Sequence, residues 1–299
     1  MSSKAAPKIA AVVLTRNRLA LLKDCVEALR KQTRRPDEII IVNNDSNDGT
    51  NEWLAAQSDL TVIKQANLGT GGFYTGIKAG YQKGYDWIWV HDDDSYPLPD
   101  ALEFLTRCPY FEKENTGFLC SLVLWKDRSI HAMCVPATTS GEEWLGRVLD
   151  EKCCRVTSAP WTGMMFSRAA VDKAGYPIKE FFLWIDDSEY SSRVSEHNLR
   201  CYIVLESKLI HQTKENAAAD TQTDPYDTRS DKVRCYYRNT VAVILMARAS
   251  LIRRLKRIAV FVFNELRRAK SWGRRFATLR YSFAGFWLYL KIRKVDVHQ

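Results

Sequence analysis

Trp87-Ile-Trp-Val-His-Asp-Asp-Asp94 sets an apolar, aromatic and β-branched run directly before three consecutive carboxylates. The first half is strand-forming. The second half is an electrostatic problem, because adjacent carboxylates repel one another and are costly against a packed sheet. A divalent cation with oxygen ligands removes that cost, and phosphates on its far side complete the shell. A solvated turn is the plainer alternative, since Asp is common in turns and Ser95-Tyr-Pro97 follows. Placement straight after a strand favours the cation.

Upstream, strands alternate with helices. Ile9–Leu14 is a continuous apolar run suited to a strand buried on both faces. Leu19–Lys31 carries Leu22, Val26 and Leu29 at helical spacing, and Glu38–Val42 is a second buried strand ending in the polar cluster Asn43–Thr50. A helix to about Gln57, a third strand over Leu60–Lys64, the glycine-rich turn Asn67–Gly76 and a helix to Lys83 lead to the fourth strand, Trp87–Val90. This order predicts a doubly wound parallel sheet with ligand sites at the carboxyl ends of its strands. Three polar motifs fall there: Thr15-Arg-Asn-Arg18, Asn43–Thr50 and His91–Asp94. The glycine-rich turn lacks both a Walker lysine and the dinucleotide-binding spacing, which disfavours a kinase or a dehydrogenase.

As a set, these motifs resemble the inverting GT-A nucleotide-sugar glycosyltransferases of family 2, and within it the galactofuranosyl- and rhamnosyltransferase-like members. The resemblance covers roughly residues 8–240. It implies an α/β GT-A fold, a Rossmann-like doubly wound mixed sheet, and a nucleotide-sugar donor. Leu14-Thr-Arg-Asn-Arg18 matches the opening motif, Asn43–Thr50 the second-strand motif, and Asn67–Gly76 the glycine stretch. The family's usual first acid in the second motif is Asn43 here. By this resemblance Thr15, Arg16, Asn43, Asn44, Asp45, Asn67, Gly71, Gly72, Asp92 and Asp93 are donor-binding candidates. Asp92 and Asp94 match the D-x-D motif, which implies Mn²⁺ or Mg²⁺.

Inverting transfer needs a carboxylate to take the acceptor hydroxyl's proton. Phe181-Phe-Leu-Trp-Ile-Asp-Asp-Ser-Glu-Tyr190, followed by Arg193, resembles the family's base segment, whose base position falls on Asp187 with Asp186 beside it. Paired acids in apolar surroundings raise one another's pKa toward neutrality. The alternative is a helix N-terminus, where Asp186, Asp187 and Glu189 suit the dipole, and both readings can hold. The resemblance makes His211 the third metal ligand; blindly, it would be a structural histidine. His91 is expected just outside the metal's ligands, and His131 and His197 carry no motif. Trp161-Thr-Gly-Met-Met-Phe166 resembles a segment lining the sugar pockets, with Trp161, Gly163 and Trp184 as acceptor-side candidates, the two tryptophans equally suited to core packing.

Of 299 residues, 46% are hydrophobic and 26% charged, which excludes disorder and disulfide scaffolds. The net charge of +9 is divided: residues 232–299 carry 17 Lys and Arg against two acids, whereas residues 1–231 sum to −6. A transferase domain over 1–231 and a basic helical extension over 232–299 are therefore expected, separated by the polar stretch Lys214–Asp231. Leu251–Arg268 interleaves apolar side chains with arginine, and Phe283–Tyr289 sets aromatics beside Lys291, Arg293 and Lys294. Such a region suits an anionic membrane surface without crossing it. Nucleic acid and a subunit interface are the competing partners; no nucleic-acid motif accompanies the charge, and a homo-oligomer stays open. Eight cysteines without metal spacing, and no export signal, predict reduced thiols in a cytoplasmic protein held at the inner face of the plasma membrane. The acceptor would then be a lipid-linked or cell-surface glycan.

Overall fold

The computed structural model describes residues 6–139, 142–218 and 231–293, with backbone alone over 142–145. Most of the Lys214–Asp231 stretch, and Lys294, lie outside the described residues.

The chain runs β1 (Ile9–Thr15), α1 (Leu19–Arg30), β2 (Glu38–Asn44), α2 (Thr50–Ala55), β3 (Leu60–Gln65), α3 (Gly72–Gln82), β4 (Trp87–Asp92), β5 (Ser95–Pro97), α4 (Ala101–Arg107), β6 (Thr116–Leu124), β7 (Ala137–Thr138), α5 (Glu142–Asp150), β8 (Cys153–Ser158), β9 (Met164–Ser167), α6 (Arg168–Ala174), α7 (Asp186–Glu196), β10 (Arg200–His211), α8 (Asp231–Met246), α9 (Leu251–Arg268) and α10 (Trp272–Ile292). The strands form one sheet in the order β3-β2-β1-β4-β9-β6-β10-β8-β7, with β5 on β10. Strands β1 to β4 pair in parallel, as their apolar runs predict. Beyond them the sheet is mixed: β9 inserts antiparallel between β4 and β6.

Both faces of the sheet are covered. Ala10, Val12 and Leu14 of β1 join one core with Phe73, Phe118 and Phe166, while Ile9, Ala11 and Val13 join the other with Leu22, Val26 and Trp89. This two-residue alternation is why the strand is apolar throughout. Each large side chain so buried stabilises the fold by about 1.5–3 kcal/mol.

Register brings the polar motifs together. Thr15 lies opposite Asn43, and Leu14 opposite Asp92. On the far side, β5 doubles back along β10 so that Ser95 faces His211. Beyond the charge seam at residue 231 the described chain continues as α8. The helix nonetheless packs on the first region, with Ala242 beside Ile178 and Phe181. All eight cysteines are buried, and none of them forms a disulfide.

Candidate active site

The three carboxylates diverge because successive side chains leave a strand end in different directions. Asp92 accepts from Thr162 Oγ1 at 2.7 Å. Asp93 turns back toward β1, where Thr15 Oγ1 donates to it at 2.8 Å and the Arg16 amide at 3.4 Å. Asp94 meets His211 Nε2 at 3.1 Å. The Arg18 guanidinium bridges the pair, 3.1 Å from Asp93 and 2.7 Å from Asp94.

These contacts set the charge states. Burial, then the Asp94 charge, pushes the Asp92 carboxyl up. Burial likewise lifts Asp93 to about 6, against Arg18. Burial opposes ionisation of Asp94 too, but the His211 hydrogen bond and charge outweigh it and hold that carboxyl below its usual range. For His211, burial disfavours the cation, yet the Asp94 and Cys134 contacts raise it to about 10. Arg18 and His211 are thus the basic partners of Asp93 and Asp94.

Asp92, Asp94 and His211 offer ligand atoms all within 4.8 Å of one another. Two carboxylates and an imidazole suit Mn²⁺, and Mg²⁺ less closely. A second trio, His131, Cys134 and His211, is equally compact. However, the His131 and His211 rings stack at 4.6 Å with 29° between planes, so their in-plane lone pairs run alongside each other rather than converging. This trio reads as a hydrogen-bonded backing: Cys134 Sγ lies 3.5 Å from His211 Nδ1, and His131 Nε2 is 2.9 Å from Thr213 Oγ1. Such a backing fixes the orientation of a ligating imidazole.

The base segment lies alongside. Trp161 Nε1 donates to Asp186 at 2.6 Å, and its neighbour Thr162 holds Asp92, so one dipeptide joins the two acid groups. Asp186 is buried, whereas Asp187 is half-buried and accepts from the Ser188 amide at 2.6 Å. Burial first, then the Asp186 charge with a contribution from Asp92, pushes Asp187 up to about 7. Both acids open α7, so the helix-terminus reading holds as well. Arg193 clasps Glu189 and the Tyr176 carbonyl, which anchors this helix.

Several candidates are tied into the scaffold instead of facing open space. Asn43 organises its own turn through Ser46 and Asn51, and Asn44 spans from Gln65 to the Gly69 carbonyl. Asn67 accepts from the Gly69 amide at 2.9 Å. Gly69 has φ +57° and a Cβ there would collide with the Phe182 carbonyl, so this loop packs on the base segment. Gly71 and Gly72 are likewise points of close approach, to Lys179 and Leu14. Gly163 bridges Val90 and Ser121 within the sheet. Arg16 and Asp45 are exposed at the strand ends.

Two sequence expectations change. Trp161 is 5% exposed and set among Phe73, Phe166 and Tyr190, so it packs in the core and holds Asp186 with no face free for a sugar. His91, expected near the metal ligands, is fully buried edge-on to Trp89, and its ring nitrogens have no hydrogen-bond partner among the described residues; burial depresses it to about 3. Trp184 is half-buried, its ring against Tyr236 and under Lys232. Thr162, Cys134, His131 and Arg18 were missing from the candidates. Arg18 and Thr162 each had a visible signal, a place in a quoted motif, whereas Cys134 and His131 had none.

Residues 10–133 match the family model described as Glycosyl transferase family 2. The chain is 26% identical over 222 residues to galactofuranosyltransferase GlfT1 of Mycolicibacterium smegmatis, covering 68% of this chain and 70% of that protein. It is equally similar, 26% over 223 residues, to GlfT1 of Mycobacterium tuberculosis, covering 67% and 69%. Among solved structures, GalNAc-T7 with UDP, GalNAc and Mn²⁺ superposes with a TM-score of 0.64 at 12% identity, over 97% of this chain and 57% of that one. S. aureus TarS 1–349 in complex with UDP-GlcNAc gives 0.57 at 14% identity, over 92% and 79%. The two superpositions establish the fold. Residues 10–133 thus carry a glycosyltransferase family 2 domain, in a chain with the GT-A fold.

Proposed function

We propose that the protein transfers a sugar, with inversion, from UDP-galactofuranose to a hydroxyl of a lipid-linked or cell-surface glycan. Asp187, half-buried with its pKa raised beside Asp186, and the Asp92/Asp94/His211 ligand group, to which Asp186 is linked through Trp161-Thr162, carry this reading. The carboxylate of Asp187 takes the acceptor proton as that oxygen bonds to the anomeric carbon. The bond from that carbon to the phosphate oxygen breaks, and the nucleoside diphosphate leaves with the electron pair. A divalent ion held by Asp92, Asp94 and His211, Mn²⁺ by the donor set, would supply charge neutralisation for the diphosphate. Arg18 adds a cation at the same strand ends. Thr15 keeps Asp93 facing β1, and Asn44 and Asn67 fix the loop beside the donor.

The choice of furanose rests on the GlfT1 relatives. It is tested by following nucleoside diphosphate release from UDP-galactofuranose, UDP-galactopyranose, UDP-glucose and dTDP-rhamnose, with and without a lipid-linked glycan. Acceptor-dependent release from the furanose alone is expected. Release only from dTDP-rhamnose would reassign the donor.

The C-terminal helices supply the membrane contact in this reading. No helix among the described residues is long and apolar enough to cross a bilayer. On α10, Trp272, Phe276, Leu279, Phe283, Trp287 and Leu290 recur every three to four residues and are all exposed, and Ile252, Leu255 and Phe263 are exposed on α9. With the surplus of arginine and lysine, this surface suits anionic lipid. The full chain is expected to sediment with phosphatidylglycerol vesicles and not with phosphatidylcholine, and Trp287→Asp to weaken binding about tenfold or more. Equal sedimentation of the variant, or a dimer formed through the same stripe in place of vesicle binding, would overturn it.

A further inference from the structure

Three of the four residues before Asp186 have an expensive backbone. Phe182, Trp184 and Ile185 have φ of 67°, 62° and 70°. Side chains rarely tolerate such values, a β-branched isoleucine least of all, and they persist only where the surroundings impose them. One contact is local, the Leu183 amide donating to the Phe181 carbonyl at 2.7 Å around Phe182, and the others come from outside the segment. Asn239 of α8, fully buried, places Nδ2 3.0 Å from the Phe181 carbonyl, 3.0 Å from that of Leu183 and 2.8 Å from that of Trp184. Arg238 donates to the carbonyls of Phe181 at 2.7 Å and Glu180 at 3.2 Å. The Phe182 carbonyl accepts from Thr70, its amide at 2.8 Å and its hydroxyl at 3.0 Å. Every carbonyl from Glu180 to Trp184 is therefore taken by a donor from α8 or the glycine loop.

The strut is itself fixed. Alpha-helix 10 presses on α8 at Gly285, where a Cβ would stand 2.6 Å from the Arg238 carbonyl, and Tyr237 reaches the buried Glu265 of α9 at 3.2 Å. Downstream of the strained residues, Trp161 anchors Asp186 but holds no hydrogen bond to Asp187, whose bonded partner is Ser188. The aim of Asp187 thus depends on the backbone that Asn239 grips.

We propose that Asn239, seconded by Arg238, is a positioning residue for the base: it holds the 182–185 backbone in the conformation that presents Asp187 to the acceptor, making α8 part of the catalytic apparatus. This rests on Asp187 being the base. An apolar residue at 239 would leave buried carbonyls unpaired, and the segment would relax toward ordinary φ values, carrying the start of α7 with it.

The test uses the full chain with Mn²⁺, donor and acceptor. Asn239→Ala is expected to lower kcat about 100-fold. The KM for donor and the affinity for UDP should stay within about threefold, because the altered backbone presents the base, with donor binding set elsewhere. The rising limb of kcat against pH should shift from its wild-type position, because the base no longer sits in the same environment. Arg238→Gln should show the same pattern more weakly, and it keeps the test open if Asn239→Ala does not fold. A variant that melts earlier yet keeps wild-type kcat and the wild-type pH limb would reduce Asn239 to a stability role and overturn the proposal. Asp187→Asn, assayed in parallel, separates the two ideas. Activity retained there defeats the base assignment, whereas activity lost there but intact in Asn239→Ala and Arg238→Gln defeats the positioning role alone.

Discussion

Asp187→Asn is expected to cut kcat by about 10³-fold while leaving UDP affinity within about threefold of wild type. Asparagine keeps the shape but cannot accept the acceptor's proton. The same carboxyl gives a pH signature. Its pKa stands raised to about 7, first by burial and then by Asp186, so the fraction of enzyme with a competent base rises through that region and kcat should climb to a plateau above it. The stability effect has the opposite sign. A carboxyl whose pKa is higher folded than unfolded makes the native state bind more protons, so stability falls as pH rises from about 4 toward about 7. Asp187→Asn removes that dependence and is expected to raise the Tm at pH 8. A dead enzyme with a lower Tm would point to misfolding instead.

The second large effect is at the metal ligands. Asp92→Asn, or chelation of wild type, is expected to lower turnover by about 10³-fold or more, corresponding to several kcal/mol of lost transition-state stabilisation. Melting curves supply an independent readout. In wild type, burial and the Asp94 charge make ionised Asp92 costly without a cation, so adding Mn²⁺ should raise the Tm. In metal-free protein Asp92→Asn should melt higher than wild type, and Mn²⁺ should then shift it little. An equal Mn²⁺ shift in both proteins would move the metal away from Asp92.

Much of the parallel half of the fold is legible in the sequence because each strand is an apolar run ended by polar residues. Thr15, Asn43 and Asp92 fall at strand ends that the register sets side by side. The antiparallel half is not legible in the same way. Met164–Phe166 is apolar in sequence, but that says nothing of its partners, so the place of this strand between β4 and β6 is a tertiary outcome. Sequence arithmetic also drew a seam at residue 231, where charge changes sign. Charge reports on the solvent-facing surface, whereas the inner face of α8 carries Asn239 into the base segment, a contact 55 to 58 residues away in sequence. His131 and Cys134 were invisible for the same reason. They reach His211 across 80 and 77 residues respectively, through strand pairing that no local motif records.

The most direct measurement of the central claim is the configuration of the new glycosidic bond. Wild-type enzyme with Mn²⁺, UDP-galactofuranose and a lipid-linked acceptor would be allowed to turn over, and the product's anomeric centre read by nuclear magnetic resonance. A single direct displacement with Asp187 as base predicts one product, inverted relative to the donor and absent from the Asp187→Asn reaction. A product that retains the donor's configuration, or one still formed at wild-type rate by Asp187→Asn, would contradict it.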